Sequence, residues 1–210
     1  MSSEIPIKHL NGFIDAGSRP SLLGPLETET KTQETPAPVV VEVLEAYLSK
    51  GMVFLRDPSK LMDLRERAFG TLTGDKITLS PYETFYLVEK KRIYVLDEKS
   101  KQSRSLQQLV TRLAVGKPTI WTKYLVYRDL RDRGYLVREG EAGYDFESFG
   151  KGAMRRLVSI VFEGGESTLE KLARLSAKAN KDGKDLVLAV IDRRTDIVYY
   201  TLNPETFQSQ

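Results

Sequence analysis

The chain has 210 residues, 40% hydrophobic and 29% charged, with a formal net charge of +3. These values require a folded protein with room for two small domains and rule out binding of nucleic acid by dense positive charge alone. With no cysteine and one histidine, His9, the inventory excludes disulfides, cysteine-based zinc sites, thiol nucleophiles and a Ser-His-Asp triad in the folded core.

Residues 1–37, with their GPLETETKTQETPA stretch, carry no sustained apolar period and are expected to be a disordered leader. His9 falls inside it, which argues against a ligand or catalytic role. An N-terminal α/β domain is expected over 38–117. Within it GMVFLRD reads as a strand closed by Asp57-Pro58, and SKLMDLRERAFG as a short helix from a Ser59 cap to a Gly70 stop. Ser80, Pro81 and Glu83 then write an N-cap, a first-turn proline and a capping box. The strand RIYVL and the helix SLQQLVTRLA follow, and Gly116-Lys117-Pro118 marks the boundary.

A C-terminal domain is expected over 118–210. Thr119 can cap a helix through IWTKYLVYRDLRDR, with Trp121, Tyr124, Leu125 and Tyr127 towards one side and Gly134 as its stop. The strands YLVRE, YDFESF and RLVSIVF come next, the third apolar enough to be central in a sheet. After Gly164-Gly165, Ser167 and Glu170 form a capping box for a helix ending at NKDG. On it Leu169, Leu172, Ala173 and Ser176 share a face. KDLVLAVIDRRTDIVYYTL closes the chain as a hairpin. The order αβββαββ predicts an α/β (α+β) fold in which helices flank a mixed sheet. No apolar run approaches the roughly 20 residues that span a bilayer, and no apolar signal core opens the chain, so a soluble cytoplasmic protein with no membrane partner is expected.

YLVYRDLRDRGYLVREG, the DF that follows it, and LVLAVIDRRTDIVYY resemble the C-terminal half of archaeal tRNA-splicing endonucleases. LSPYETFYLVEKKRIYV is similar to the N-terminal domain of the same family, so the resemblance covers residues 50–202. It implies cleavage of precursor tRNA at a bulge-helix-bulge, leaving a 2′,3′-cyclic phosphate and a 5′-hydroxyl, with no metal or other cofactor. The family's Tyr, His and Lys fit that chemistry. A 2′-hydroxyl must lose a proton, a 5′-oxygen must gain one, and the pentavalent phosphate needs a cation.

Carried over by resemblance, the tyrosine falls on Phe149, which has the ring and lacks the hydroxyl. The histidine falls near Met154 or Arg155, and the lysine on Lys184, or on Asp185 one residue later. An always-charged Arg cannot shuttle protons, so only a cation survives. The resemblance therefore implies a structural chain that completes an (αβ)₂ heterotetramer around a catalytic partner. An active nuclease would need another acid/base group, for which Tyr144 and Tyr135 are the candidates. A free-standing RNA-binding protein is the remaining alternative.

Lys151, Arg155, Arg156 and Lys184 could form a basic patch for RNA phosphates. At the subunit interface, the resemblance points to the DRRTD turn, with Asp192 and Asp196, and to Tyr199 and Tyr200 of the last strand as anchors.

Overall fold

The computed structural model describes residues 42–56, 62–141, 143–150, 155–165 and 169–202. The expected leader 1–37 with His9, the Asp57-Pro58 strand end, the Ser59 cap, Lys151, Met154 and the Ser167 cap lie outside the described residues.

Six strands form the first sheet: β1 (Leu44–Ser49), β2 (Met52–Leu55), β3 (Thr71–Thr73), β4 (Lys76–Leu79), β5 (Ile93–Asp97) and β6 (Ser103–Arg104), in the order β3-β4-β2-β1-β5-β6. β1 runs parallel to β5 and antiparallel to β2. Helices α1 (Met62–Glu66), α2 (Pro81–Glu89) and α3 (Leu106–Leu113) belong to the same stretch of chain. The strand β1, LEAYLS, is rich in good helix formers, although Leu44, Ala46 and Leu48 alternate with Glu45, Tyr47 and Ser49 at the period of a strand. It is extended because it lies between β2 and β5, where neighbours on both sides satisfy its backbone, and tertiary pairing overrides so weak a propensity.

The expected capping box on α2 is present. Ser80 Oγ accepts from the Glu83 N–H at 3.2 Å, and the Glu83 carboxylate accepts from the Ser80 N–H at 2.7 Å. The same carboxylate also accepts from the Gly70 N–H at 2.9 Å, which ties the start of α2 to the entry of β3. Helix α1 is shorter than expected. It stops at Glu66, and Ala68 (φ 56) and Gly70 (φ 71) turn the chain with positive φ. A side chain at Gly70 would also have its Cβ 2.3 Å from Ile77.

The second sheet follows helix α4 (Ile120–Asp132) and holds β7 (Leu136–Glu139), β8 (Phe146–Phe149), β9 (Arg155–Phe162), β10 (Asp185–Ile191) and β11 (Ile197–Leu202), with α5 (Leu169–Lys181) crossing between β9 and β10. Its order is β11-β10-β9-β8-β7; only the β9–β10 pair is parallel. The αβββαββ order and the mixed sheets with flanking helices are as expected, and RLVSIVF lies in the middle of its sheet. Two local expectations need correction. Thr119 does not cap α4 through its side chain, because its φ of −92° and ψ of 3° are not the extended geometry that brings a hydroxyl to the first free N–H groups. Trp121 is 41% exposed, while Tyr124, Leu125 and Tyr127 are buried.

One continuous core links the two sheets. Phe85 of α2 meets Tyr124 of α4 edge-on at 5.5 Å, and Tyr82 meets Phe146 of β8 edge-on at 5.2 Å. Arg131 of α4 crosses the same junction with 7% of its surface exposed. Its guanidinium donates to the Tyr127 hydroxyl at 3.0 Å, to the Arg67 and Ala68 carbonyls at 2.8 and 3.2 Å, and to the Val137 carbonyl at 2.8 Å. Its Cζ lies 4.0 Å from the centre of the Phe69 ring. A smaller core of Tyr144, Leu157, Ala179, Leu186 and Leu188 sits between α5 and the other face of the second sheet.

Candidate functional site

Side chains alternate across a strand, so the register of the second sheet decides which groups meet. Phe149 of β8 is paired with Arg155 of β9, and Glu147 with Leu157. Asp185 of β10 is paired with Arg156, which puts Lys184, one residue before the strand, beside Arg155. Leu157, Leu186 and Leu188 share a core with Ala179 of α5. Phe149, Arg155 and Lys184 alternate in step with those leucines, so all three come together at one end of the α5 face.

The Arg155 Cζ lies 5.5 Å from the Phe149 ring centre, and the Cζ of Arg138 of β7 approaches the same ring at 6.0 Å. Lys184 Nζ is 2.7 Å from Glu147 Oε1, each side chain 22% exposed. The ring carries no hydroxyl, the guanidinium beside it stays charged at any ordinary pH, and the ammonium is neutralised by its own carboxylate. Such a group can attract a phosphate through Arg155 and Arg138. Of its described members, neither the ring nor the guanidinium moves a proton near neutrality. Glu147 and Arg138 were missed by sequence reading. Their signal is the alternation within YDFESF and YLVRE, which becomes informative only when the pairing of β7, β8 and β9 is known.

The expected four-residue basic patch is divided. Adjacent residues on a strand point to opposite faces, so Arg156 leaves Arg155 and Lys184 for the α4 side. There its Nη1 donates to the Tyr135 hydroxyl at 3.4 Å, near Ser148, Val158 and Tyr199. The alternation was readable in RRLVSIVF itself. Tyr135 is thus directed away from Phe149. Tyr144 is 7% exposed, its hydroxyl donates to the Leu175 carbonyl at 2.9 Å, and burial pushes its phenol up. Its burial and the hydrogen bond to Leu175 make it a core residue rather than an acid or base.

Two further expected residues, Tyr199 and Tyr200, lie on opposite faces of β11. The Tyr199 hydroxyl donates to Asp129 Oδ2 at 2.7 Å, its ring lies 5.2 Å from the Arg133 guanidinium, and burial foremost, then that hydrogen bond, raises its pKa. Tyr200 is 53% exposed beside Val198 at 49%, on the edge strand of the sheet. In the turn before β11, Asp192 Oδ1 accepts from the Arg194 and Asp196 N–H groups at 2.8 and 2.9 Å, so this carboxylate shapes the turn, while Arg193, Arg194 and Asp196 are exposed. Among the described residues no helix is long and apolar enough to cross a membrane.

Two family models match the chain. The tRNA intron endonuclease catalytic C-terminal domain covers residues 120–199, and the tRNA intron endonuclease N-terminal domain covers 44–108. A tRNA-splicing endonuclease of Pyrococcus furiosus is 35% identical over 162 residues, 75% of this chain and 94% of the relative. One from Pyrococcus abyssi is 34% identical over 167 residues, 77% and 96% of the two chains. One from Methanococcus vannielii is 29% identical over 167 residues, 77% and 94%.

Proposed function

The chain belongs to the tRNA intron endonuclease family, which acts on precursor tRNA, and we propose that within it this chain is a structural subunit that does not itself cut RNA. The observation that carries the reading is the group at Phe149. A ring without a hydroxyl, an arginine that cannot give up its proton, and a lysine bound to Glu147 at 2.7 Å stand together at the positions to which the resemblance assigns proton transfer and charge stabilisation. Each absent proton-transfer group removes a factor of about 10² to 10⁴. Tyr144 cannot replace them while its hydroxyl is held by Leu175.

In this reading the chain folds as two domains, 38–117 and 118–210, and joins a catalytic homologue in an (αβ)₂ assembly in the cytoplasm. Its role there is to hold the partner's sites at the spacing of the two bulges. Tyr200 and Val198, exposed on the edge strand of the described sheet, are the surface most in need of a partner, and the DRRTD turn is a second contact. Arg155 and Arg138 contribute sequence-independent phosphate contacts.

The experiment is cleavage of a bulge-helix-bulge RNA by the pure chain, and by the chain mixed with a catalytic homologue, in chelator. Cleavage confined to the mixture, with 2′,3′-cyclic phosphate ends, is expected. Cleavage by the pure chain would sink the reading.

A further inference from the structure

The first sheet has one face in the core and one turned away from it. Ala46, Leu48, Val53, Leu55, Ile77, Leu79, Ile93 and Val95 face the core, so the alternate residues form the other face. Paired across β1, β2 and β5 there are Tyr47 with Phe54 and Glu45 with Tyr94. Tyr94 is 41% exposed and Met52 56%. Three cations lie over the rings: Arg56 4.3 Å from the Tyr47 centre, Lys101 4.9 Å from the same ring, and Lys76 4.8 Å from Phe54.

Two carboxylates of this face among the described residues are already engaged. Glu45 accepts the hydroxyls of Tyr94, at 2.7 Å, and of Tyr47. Glu98 accepts Arg56 at 2.8 Å. What the face offers outward is therefore the Tyr94 ring, a guanidinium plane laid on Tyr47, and two ammonium groups, bordered by the hydroxyls of Ser49, Thr73 and Thr78. A protein partner would call for a contiguous apolar centre, which this polar-bordered face does not supply. Exposed aromatic and guanidinium planes among cations suit unpaired bases with phosphates on either side.

We propose that this face of the N-terminal sheet is a second RNA-contact surface, on which Tyr94 and the Arg56–Tyr47 pair stack unpaired nucleotides of the precursor tRNA while Lys101 and Lys76 contact their phosphates. The identity of the RNA rests on the function proposed above; the surface itself does not need this chain to be a structural subunit. It lies on a different sheet from the group at Phe149, so the two are separable by mutation.

The test uses the full chain and two fluorescently labelled probes, a short single-stranded oligoadenylate and a blunt RNA duplex, read by anisotropy. The single strand should bind more tightly than the duplex. Tyr94→Ala should weaken single-strand binding about tenfold. Tyr94→Phe, which keeps the ring and loses the hydroxyl, should stay near wild type, and Lys101→Ala should flatten the salt dependence. Circular dichroism establishes that each variant is folded. No binding of the single strand, equal binding of the duplex, or unchanged binding by folded Tyr94→Ala would each overturn the proposal. The splicing assay is an independent readout. If the mixture cleaves while Tyr94→Ala binds as wild type, this surface is wrong and the subunit role stands. If Tyr94 carries binding while the mixture is inert, the surface stands and the subunit role fails.

Discussion

Arg131 lies 4.0 Å from the centre of the Phe69 ring and Arg155 5.5 Å from that of Phe149, and their surroundings are opposite. Arg131 is buried and donates to four acceptors, three of them carbonyls drawn from the end of α1 and from β7. Arg155 is exposed at the end of a strand. A buried guanidinium with its donors satisfied fixes the parts it joins, whereas an exposed one adds little stability and stays available to an incoming anion. The contrast is between an arginine that ties separate segments of the core together and one that stays open to an incoming anion.

The sharpest way to break this comparison is to truncate both arginines. Arg131→Ala should destabilise the chain by about 3 kcal/mol or more, because the buried Val137 carbonyl and two partly buried carbonyls lose their donors and the side chain that packs on Phe69 is removed. Arg155→Ala should cost less than about 0.5 kcal/mol, as exposed substitutions usually do. Urea unfolding measures both, and equal losses would erase the distinction. Next in size, Tyr144→Phe should cost about 1 kcal/mol by removing the hydrogen bond to Leu175. It should leave cleavage by the mixed assembly unchanged; a loss of activity without loss of stability would return Tyr144 to the chemistry.

Smaller still, Glu147→Gln releases Lys184 from a partly exposed pair and should change stability by less than about 1 kcal/mol. It should not make the pure chain cleave, because a liberated cation supplies no proton transfer. Phe149→Tyr combined with it should also stay inert for want of an acid and base, and RNA cleavage by the double variant is the measurement that checks this. The smallest effect is a pH dependence in the first sheet. The Ser100 N–H foremost, with Arg104 and further bonds beside it, holds the Asp97 carboxyl down to about 2 from its usual 3.8. A depressed folded pKa contributes stability that is present above about pH 4 and is lost as the pH falls through about 2. Asp97→Asn should therefore flatten the acid limb of the stability curve between those values.

Much of the architecture was legible because it is written locally. The α2 capping box needs only Ser80, Pro81 and Glu83 in order, the β9-α5-β10 crossover follows from an apolar run, a periodic helix and a second apolar run, and the β10–β11 hairpin needs only two β-rich runs and a polar turn. The candidate site was legible in part. Phe149, Arg155 and Lys184 could be named from resemblance and do meet on one face, but Arg156 was grouped with them although strand alternation sends it to the other side. Glu147 and Arg138, which neutralise the lysine and flank the ring, could not be found without the register of β7 against β8 and of β8 against β9.

By itself the sequence determined the inventory: no cysteine, a lone histidine in the first 37 residues, and a phenylalanine at the position where the resemblance expects a tyrosine. Inventory needs no geometry, which is why the absence of cysteine chemistry could be read so early. Tertiary structure alone decided that LEAYLS would lie between β2 and β5, that Arg131 would join the end of α1 to β7, and that Lys184 would be held by Glu147. It also decided that Tyr94 and Arg56 would share one face of a sheet. Each of these depends on pairing between segments far apart in the chain, where the partner across the ladder outweighs the preference of the residues themselves.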